Sequence, residues 1–554
     1  MPVTYWPRFN PRSFELFGCY SPAQAARDIS AGITVGIVAI PLAMAFAIAS
    51  GLKPEAGLIT AVIAGLIISG FGGSAVQIGG PAGAFIVVVY SIIEQHGLPS
   101  LLLATMMAGV LLIAMGLIKL GNLIRHVPVS IIIGFTNGIA ALIALSQVKD
   151  FFGLAIDPVP AEFFAKARAV FDHINSLDPT TTILALLSVG VIVIWPRPDR
   201  APRNVFERFA VHIPGTIIAL SLGTIAVSLF HLPVETIGSR FGGIPSGLPA
   251  FRFPEFDWVH VRQLFGPTVT LALLCAIESL LCARVADSLI EDRHDPNQEL
   301  VAQGLANIAA PLFGGFCATG TIARTVTNIR SGGRTPVAGI VHGLTVLVVM
   351  MAAAPLAVNV PLAGLAAILM VVAYNMGEWS AFVRMQRFSL NYRVILMTTF
   401  LLTVIIDLSV AVEVGLALAC LFFITRVSSL TKLEPFDPFD GLPLQKQDSF
   451  EAFNLVGSLF FGAVSILEHL QDPRRQPPKL TIIDLSGLLN MDTTGLESLE
   501  TLEGLLNRKG GKLLICSAHG QPKSLMQRSG FLDHLGPDRY FDTKADMIAA
   551  LNAG

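Results

Sequence analysis

Two ionisable residues stand where the 554-residue sequence is otherwise apolar. Arg324 lies in GGFCATGTIARTVTNIRSGG (314–333), and Glu278 lies in TLALLCAIESLLCARV (270–285). A guanidinium in such a place can fork onto a carboxylate or an oxyanion. A carboxyl buried in an apolar helix favours its neutral form, so it can take up a proton and release it. A third motif, GGPAGAF (79–85), offers backbone more than side chain. Gly79, Gly80 and Gly83 let a ligand approach the main chain, and Pro81 suits the first turn of a helix. Unpaired N–H groups at two helix starts, joined by Arg324, would bind an anion without a metal. Thr319, Thr321 and Thr325 would add hydroxyl donors. The competing reading makes Arg324 and Glu278 structural partners of their neighbours.

These groups need a membrane around them. The chain is 53% hydrophobic and 14% charged, where a soluble protein carries about 25% charged residues. Long apolar runs from Ile29 to about Val427 leave room for about twelve to fourteen helices at roughly 20 residues each. Basic residues cluster in alternate loops: Lys119 and Arg125; Arg197, Arg200, Arg203 and Arg208; Arg284 and Arg293; Arg330 and Arg334; Arg384, Arg387 and Arg393; Arg426 and Lys432. With fourteen spans this asymmetry puts both termini in the cytoplasm of a cell with an inner membrane. No signal peptide is expected. The six cysteines show no metal-binding spacing, and no nucleophile–base pair or nucleotide loop is present. No metal, no cofactor, no nucleic acid and no enzymatic activity are expected.

FGG occurs at Phe71 and again at Phe313, an interval of 242 residues. Each copy follows an apolar helix and precedes a few extended residues and a new short helix. Paired interrupted spans in two halves point to a transport site at the midplane. After FFITRVSSLTKLEPFDPFDG (422–441) the pattern changes to strand, helix, strand, a small α/β domain. The expected domains are 1–430 in the membrane and 431–554 in the cytoplasm.

DISAGITVGIVAIPLAMAFAIASGLKPEAGL (28–58), GGPAGAF, AIESLLCARVAD (276–287), the stretch 314–336 and IDLSGLLNMDTTGLESL (483–499) carry a resemblance over nearly the whole chain. The chain resembles the SulP family of anion transporters with a C-terminal STAS domain. The resemblance implies an α-helical polytopic membrane protein of about fourteen spans. These form two inverted seven-helix repeats, divided into core and gate domains as in uracil-permease-like folds. It implies half-helices starting at Gly80–Ala84 and Thr319–Thr325, their N-termini facing each other across the substrate, and a homodimer in the bilayer. The implied anion-binding residues are Phe46, Gly80, Ala82, Gly83, Ala84, Thr321, Ala323, Arg324 and Thr325.

Glu278 matches the family's acidic position in the eighth span. Sodium-coupled relatives have Asp there and a hydroxyl residue four positions on. Cys282 stands in that place here, which favours the proton as coupling ion. Pro41 is expected to break the first span. Leu42 follows it where many inorganic-anion members have Gln, so the run resembles carriers of succinate, fumarate or aspartate; sulfate and bicarbonate, by symport or exchange, are the alternatives. In the STAS motif, Thr493 occupies the position phosphorylated in bacterial relatives. A regulatory scaffold that binds cytosolic proteins through this domain is the reading from another class.

Overall fold

The structure is a computed structural model. It describes residues 9–15, 20–124, 128–156, 159–160, 162–196, 214–244, 247, 251, 253, 258–406, 408–438, 450–472 and 474–553. Arg125, Arg197, Arg200, Arg203 and Arg208, which carry part of the orientation argument, lie outside the described residues. The chain divides into two compact units, Met1–Leu416 and Ala417–Gly554. The division falls inside a helix, Leu408–Leu430, ahead of the boundary drawn from composition.

The elements that matter in the first unit are, in chain order, α1 (Pro22–Ala49), α2 (Pro54–Phe71), β1 (Gly79–Gly80), α3 (Ile86–Leu117), α4 (Val129–Phe152), α5 (Pro179–Ile194) and α6 (Gly215–Phe230). There follow α7 (Phe265–Ile290), α8 (Pro296–Leu312), β2 (Thr319–Gly320), α9 (Ile322–Arg330), α10 (Pro336–Ala357), α11 (Leu362–Met376), α12 (Leu390–Ile405) and α13 (Leu408–Leu430). Among the described residues, seven helices are long and apolar enough to cross a membrane, and four shorter ones are apolar. Fourteen spans are reached only if α3 counts twice, divided at Gly97 (φ 82°), and the short α8 and α9 are included.

The expected break at Pro41 does not occur. Helix α1 runs through it, with Pro41 to Ala47 buried. Proline removes one N–H donor, and a span enclosed by other helices tolerates that loss. Pro22 sits in the first turn and Ser21 caps it by accepting from the Gln24 N–H, so the helix start follows its local sequence.

One packing arrangement occurs twice. Helix α1 packs on α2 and α10, and α2 packs on α10; α7 packs on α8 and α3, and α8 packs on α3. At the α3–α8 crossing Gly109 and Gly304 face each other so closely that a Cβ on Gly109 would lie 2.6 Å from the Gly304 carbonyl oxygen. Hydrogen bonds also exchange between the halves. Glu299 on α8 accepts from Gly73 and Ser74 N–H at 3.0 and 3.2 Å, at the entry to the first interrupted span. Thr60 on α2 accepts from Phe316 N–H at 2.8 Å, at the entry to the second. Ser74 and Phe316 are separated by the same interval as the two FGG motifs. A second group of helices packs together, with α4 against α11 and α12, and α5 against α6 and α11, and it meets the first group where α11 and α6 touch α1.

The second unit holds β3 (Lys432–Pro435), β4 (Phe450–Leu459), β5 (Leu480–Asp484), β6 (Leu488–Met491), α14 (Thr493–Arg508), β7 (Lys512–Cys516) and β8 (Tyr540–Phe541). The strand order is β3-β4-β5-β7-β8, with β6 also on β4. β3 is antiparallel to β4, and the β4–β5, β5–β7 and β7–β8 pairs are parallel. Near-continuous apolar runs such as LTIID and KLLIC suit such strands, which are covered on their faces. Leu455, Ile483, Leu499, Leu513 and Ile515 are fully buried between the sheet and α14.

Candidate anion site

The two interrupted spans meet through their backbones. β1 and β2 pair antiparallel, Gly79 opposite Gly320 and Gly80 opposite Thr319. Both chains then turn into helix within a few residues. A 3₁₀ turn at Gly83–Phe85 leads into α3, and α9 begins at Ile322. Neither Ala82 nor Thr321, the residues before these starts, caps them with a side chain. First-turn N–H groups therefore stay available to an anion at both places. Pro81 does not sit in the first turn as expected; it lies one residue before Ala82, where the backbone is still extended.

Arg324 is 2% exposed, in the first turn of α9. Its Nη2 donates to the Pro81 carbonyl at 3.2 Å. Its Nη1 is buried and has no hydrogen-bond partner. Among the described residues no carboxylate lies within ion-pair reach of it, so pairing with an acidic neighbour does not account for its burial. The guanidinium crosses from the second repeat onto the loop of the first, and Gly80 makes room for it: a Cβ there would overlap Nη1. A buried guanidinium with an uncommitted Nη1 is poised to receive an oxyanion.

The other expected residues divide. Ala82 and Ala84 are buried beside the first start, and the Phe46 ring lies over Gly83, 3.3 Å from where its Cβ would stand. Ala323 is on the exposed side of α9. Thr319, Thr321 and Thr325 use their hydroxyls to hold backbone. Thr319 donates to the Cys275 carbonyl and Thr321 to the Ile78 carbonyl, while Thr325 accepts from Ile78 N–H. Their role in this arrangement is to tie α7 and β1 to the second interrupted span.

Glu278 lies on α7, which packs against β2 and α9. Its Oε2 is buried and unpartnered. Four positions on, the Cys282 thiol lies 3.2 Å from Thr325 Oγ1. Two buried groups escaped the sequence reading. Glu299 accepts from Gly73 and Ser74 N–H and from Gln303 Nε2 at 2.7 Å. His342 on α10 is fully buried against Gly65, and neither ring nitrogen has a partner. In the second unit Thr493 is exposed at the first position of α14, next to the cap Asp492, which accepts from Gly495 N–H at 2.8 Å.

Comparison with known proteins agrees with this architecture. Residues 26–399 match the model of the sulfate permease family, and residues 442–547 match that of the STAS domain. The chain is 42% identical over 532 residues to the putative sulfate transporter YvdB of Bacillus subtilis, covering 95% of this chain and 98% of that protein. It is 32% identical over 544 residues to the bicarbonate transporter BicA of Picosynechococcus, covering 94% of each. The fold matches the overall structure of SLC26A9 with a TM-score of 0.84 at 18% identity, covering 98% of this chain and 92% of that one. These relatives are named for transport and not for an enzymatic reaction.

Proposed function

The chain belongs to the sulfate permease family, and on that premise we propose that it is a secondary transporter of a small inorganic oxyanion, sulfate or bicarbonate. The observation that carries this reading is Arg324, buried where the two interrupted spans meet, with Nη1 uncommitted beside Gly80. The first-turn N–H groups of α9 and of the Gly83–Phe85 turn complete the site. The four-carbon dicarboxylates suggested by Leu42 give way to the alternative, because the similar proteins are named for sulfate and bicarbonate. Glu278 carries a coupling proton in this proposal, supported by its buried, unpartnered Oε2 on the helix beside β2 and α9. The expected setting is an inner membrane with both termini cytoplasmic, fourteen spans, a homodimer, and a STAS domain in reach of cytosolic proteins.

The test is uptake of labelled bicarbonate, sulfate and succinate into proteoliposomes holding the full chain, with and without an inward proton gradient. Saturable uptake of either anion that the gradient accelerates supports the proposal. Uptake that ignores the gradient removes Glu278 from it and leaves an uncoupled exchanger. Uptake of succinate alone restores the dicarboxylate reading.

A further inference from the structure

We infer that Ile143 sets the size of the anion on which the site closes. The inference rests on the transport reading above. Ile143 lies on α4, in the helix group that packs with α11 and α12. It is fully buried, and its Cδ1 lies 3.1 Å from where a Cβ on Gly83 would stand. Phe46 Cε1 lies 3.3 Å from the same point. Three elements therefore meet over Gly83: α1 through Phe46, α4 through Ile143, and the 3₁₀ turn that begins the first half-helix. Two residues earlier, the Pro81 carbonyl accepts from Arg324.

An anion held by Arg324 and the first-turn N–H groups finds polar partners on the side of the interrupted spans. Over Gly83 stand Phe46 and Ile143, which share one buried apolar cluster with Ala84 and Ile139. Neither offers a hydrogen bond, so this wall discriminates by volume. One methylene in an apolar pocket changes discrimination by about ten- to two-hundredfold. Ile143 is the member of this wall that comes from the other helix group. It lies over Gly83, and the volume left to an anion there depends on the size of this side chain.

The test compares uptake of labelled bicarbonate, sulfate and succinate by the full chain in proteoliposomes, for the native protein and for Ile143→Val, Ile143→Ala and Ile143→Phe. The expected result is a graded change in ratio. Ile143→Ala raises uptake of the larger anions relative to bicarbonate by tenfold or more, Ile143→Val raises it less, and Ile143→Phe lowers it. A residue that only filled the core would depress all three anions together. Parallel changes, or unchanged ratios, overturn the inference. Ile143→Val removes a single methyl and decides the matter where Ile143→Ala fails to fold. A native chain that moves none of the three overturns the transport reading and this inference with it, and that failure is visible before any substitution is made.

Discussion

Arg324 and Gly80 constrain each other, and the anion site depends on both. Nη1 occupies the space that a Cβ at residue 80 would fill. Gly80→Ala therefore displaces the guanidinium, the flexible partner, more easily than the backbone. We expect it to raise the KM for the transported anion about tenfold, about 1.4 kcal/mol, while the protein stays folded. Arg324→Lys keeps the charge but loses the planar fork. Its uptake at a fixed low anion concentration should fall at least about tenfold, and near-native uptake by the lysine variant would remove the bidentate argument. Glu278→Gln should abolish acceleration by a proton gradient while anion exchange persists; unchanged gradient dependence places the proton elsewhere. Arg324, Glu278 and the glycines were legible in the sequence because charge and missing side chains are conspicuous in an apolar run. Glu299 was not. It stands in DPNQELVAQ, which looks like a polar helix start, and its burial comes from Gly73 and Ser74, more than two hundred residues away. His342 was passed over in the same way, because a lone histidine in an apolar helix carries no local sign of whether its nitrogens find partners. The threonines divide for a reason that the sequence does not show: Thr319 and Thr321 donate to the Cys275 and Ile78 carbonyls, whereas Thr325 accepts from Ile78 N–H and keeps its own proton to donate.

The interrupted spans are held in place by helices of the opposite repeat. Glu299 receives two backbone N–H groups at the entry to the first, and Thr60 receives one at the entry to the second. A hydrogen bond contributes about 1 kcal/mol net, and Glu299 receives a further one from Gln303 Nε2. Glu299→Gln should therefore lower the thermal midpoint of the purified protein more than Thr60→Val. Equal shifts would mean that the loop at 73–74 finds other acceptors. Both variants should weaken anion binding, since each loop leads into one of the facing starts. At this scale the sequence was informative where a pattern repeats and misleading where one residue was given local weight. The two FGG motifs located both interrupted spans and their relation. Pro41 suggested a break, yet the buried neighbours of α1 keep the helix continuous. The length of α3 concealed two segments that only the positive φ at Gly97 separates.

The residues proposed to bind the anion all lie in the unit Met1–Leu416, and Thr493 lies in the unit Ala417–Gly554. The strand–helix–strand pattern after residue 441 made the second unit legible, because LTIID and KLLIC alternate with one amphipathic helix. The expected boundary at 430/431 falls where α13 ends, and the chain divides into its two compact units earlier, inside that helix. This division constrains how the STAS domain can act on transport. Thr493 and the groups proposed to contact the anion belong to different compact units. A change at Thr493 is expected to alter the equilibrium between states or the rate at which they exchange. Thr493 is exposed at the first position of α14, where added negative charge is favoured by the helix dipole and leaves the sheet core untouched. Thr493→Asp in the full chain should therefore change the maximal uptake rate severalfold with little change in KM, whereas Thr493→Ala should resemble the native protein when no kinase is present. The comparison needs only initial rates over a range of anion concentrations in proteoliposomes. A changed KM with an unchanged maximal rate would overturn this expectation. A native profile for Thr493→Asp would leave the STAS domain without a regulatory role through this residue. If transport by Arg324→Ala is lost but cellular function through the STAS domain persists, the regulatory-scaffold reading becomes the better account of the chain.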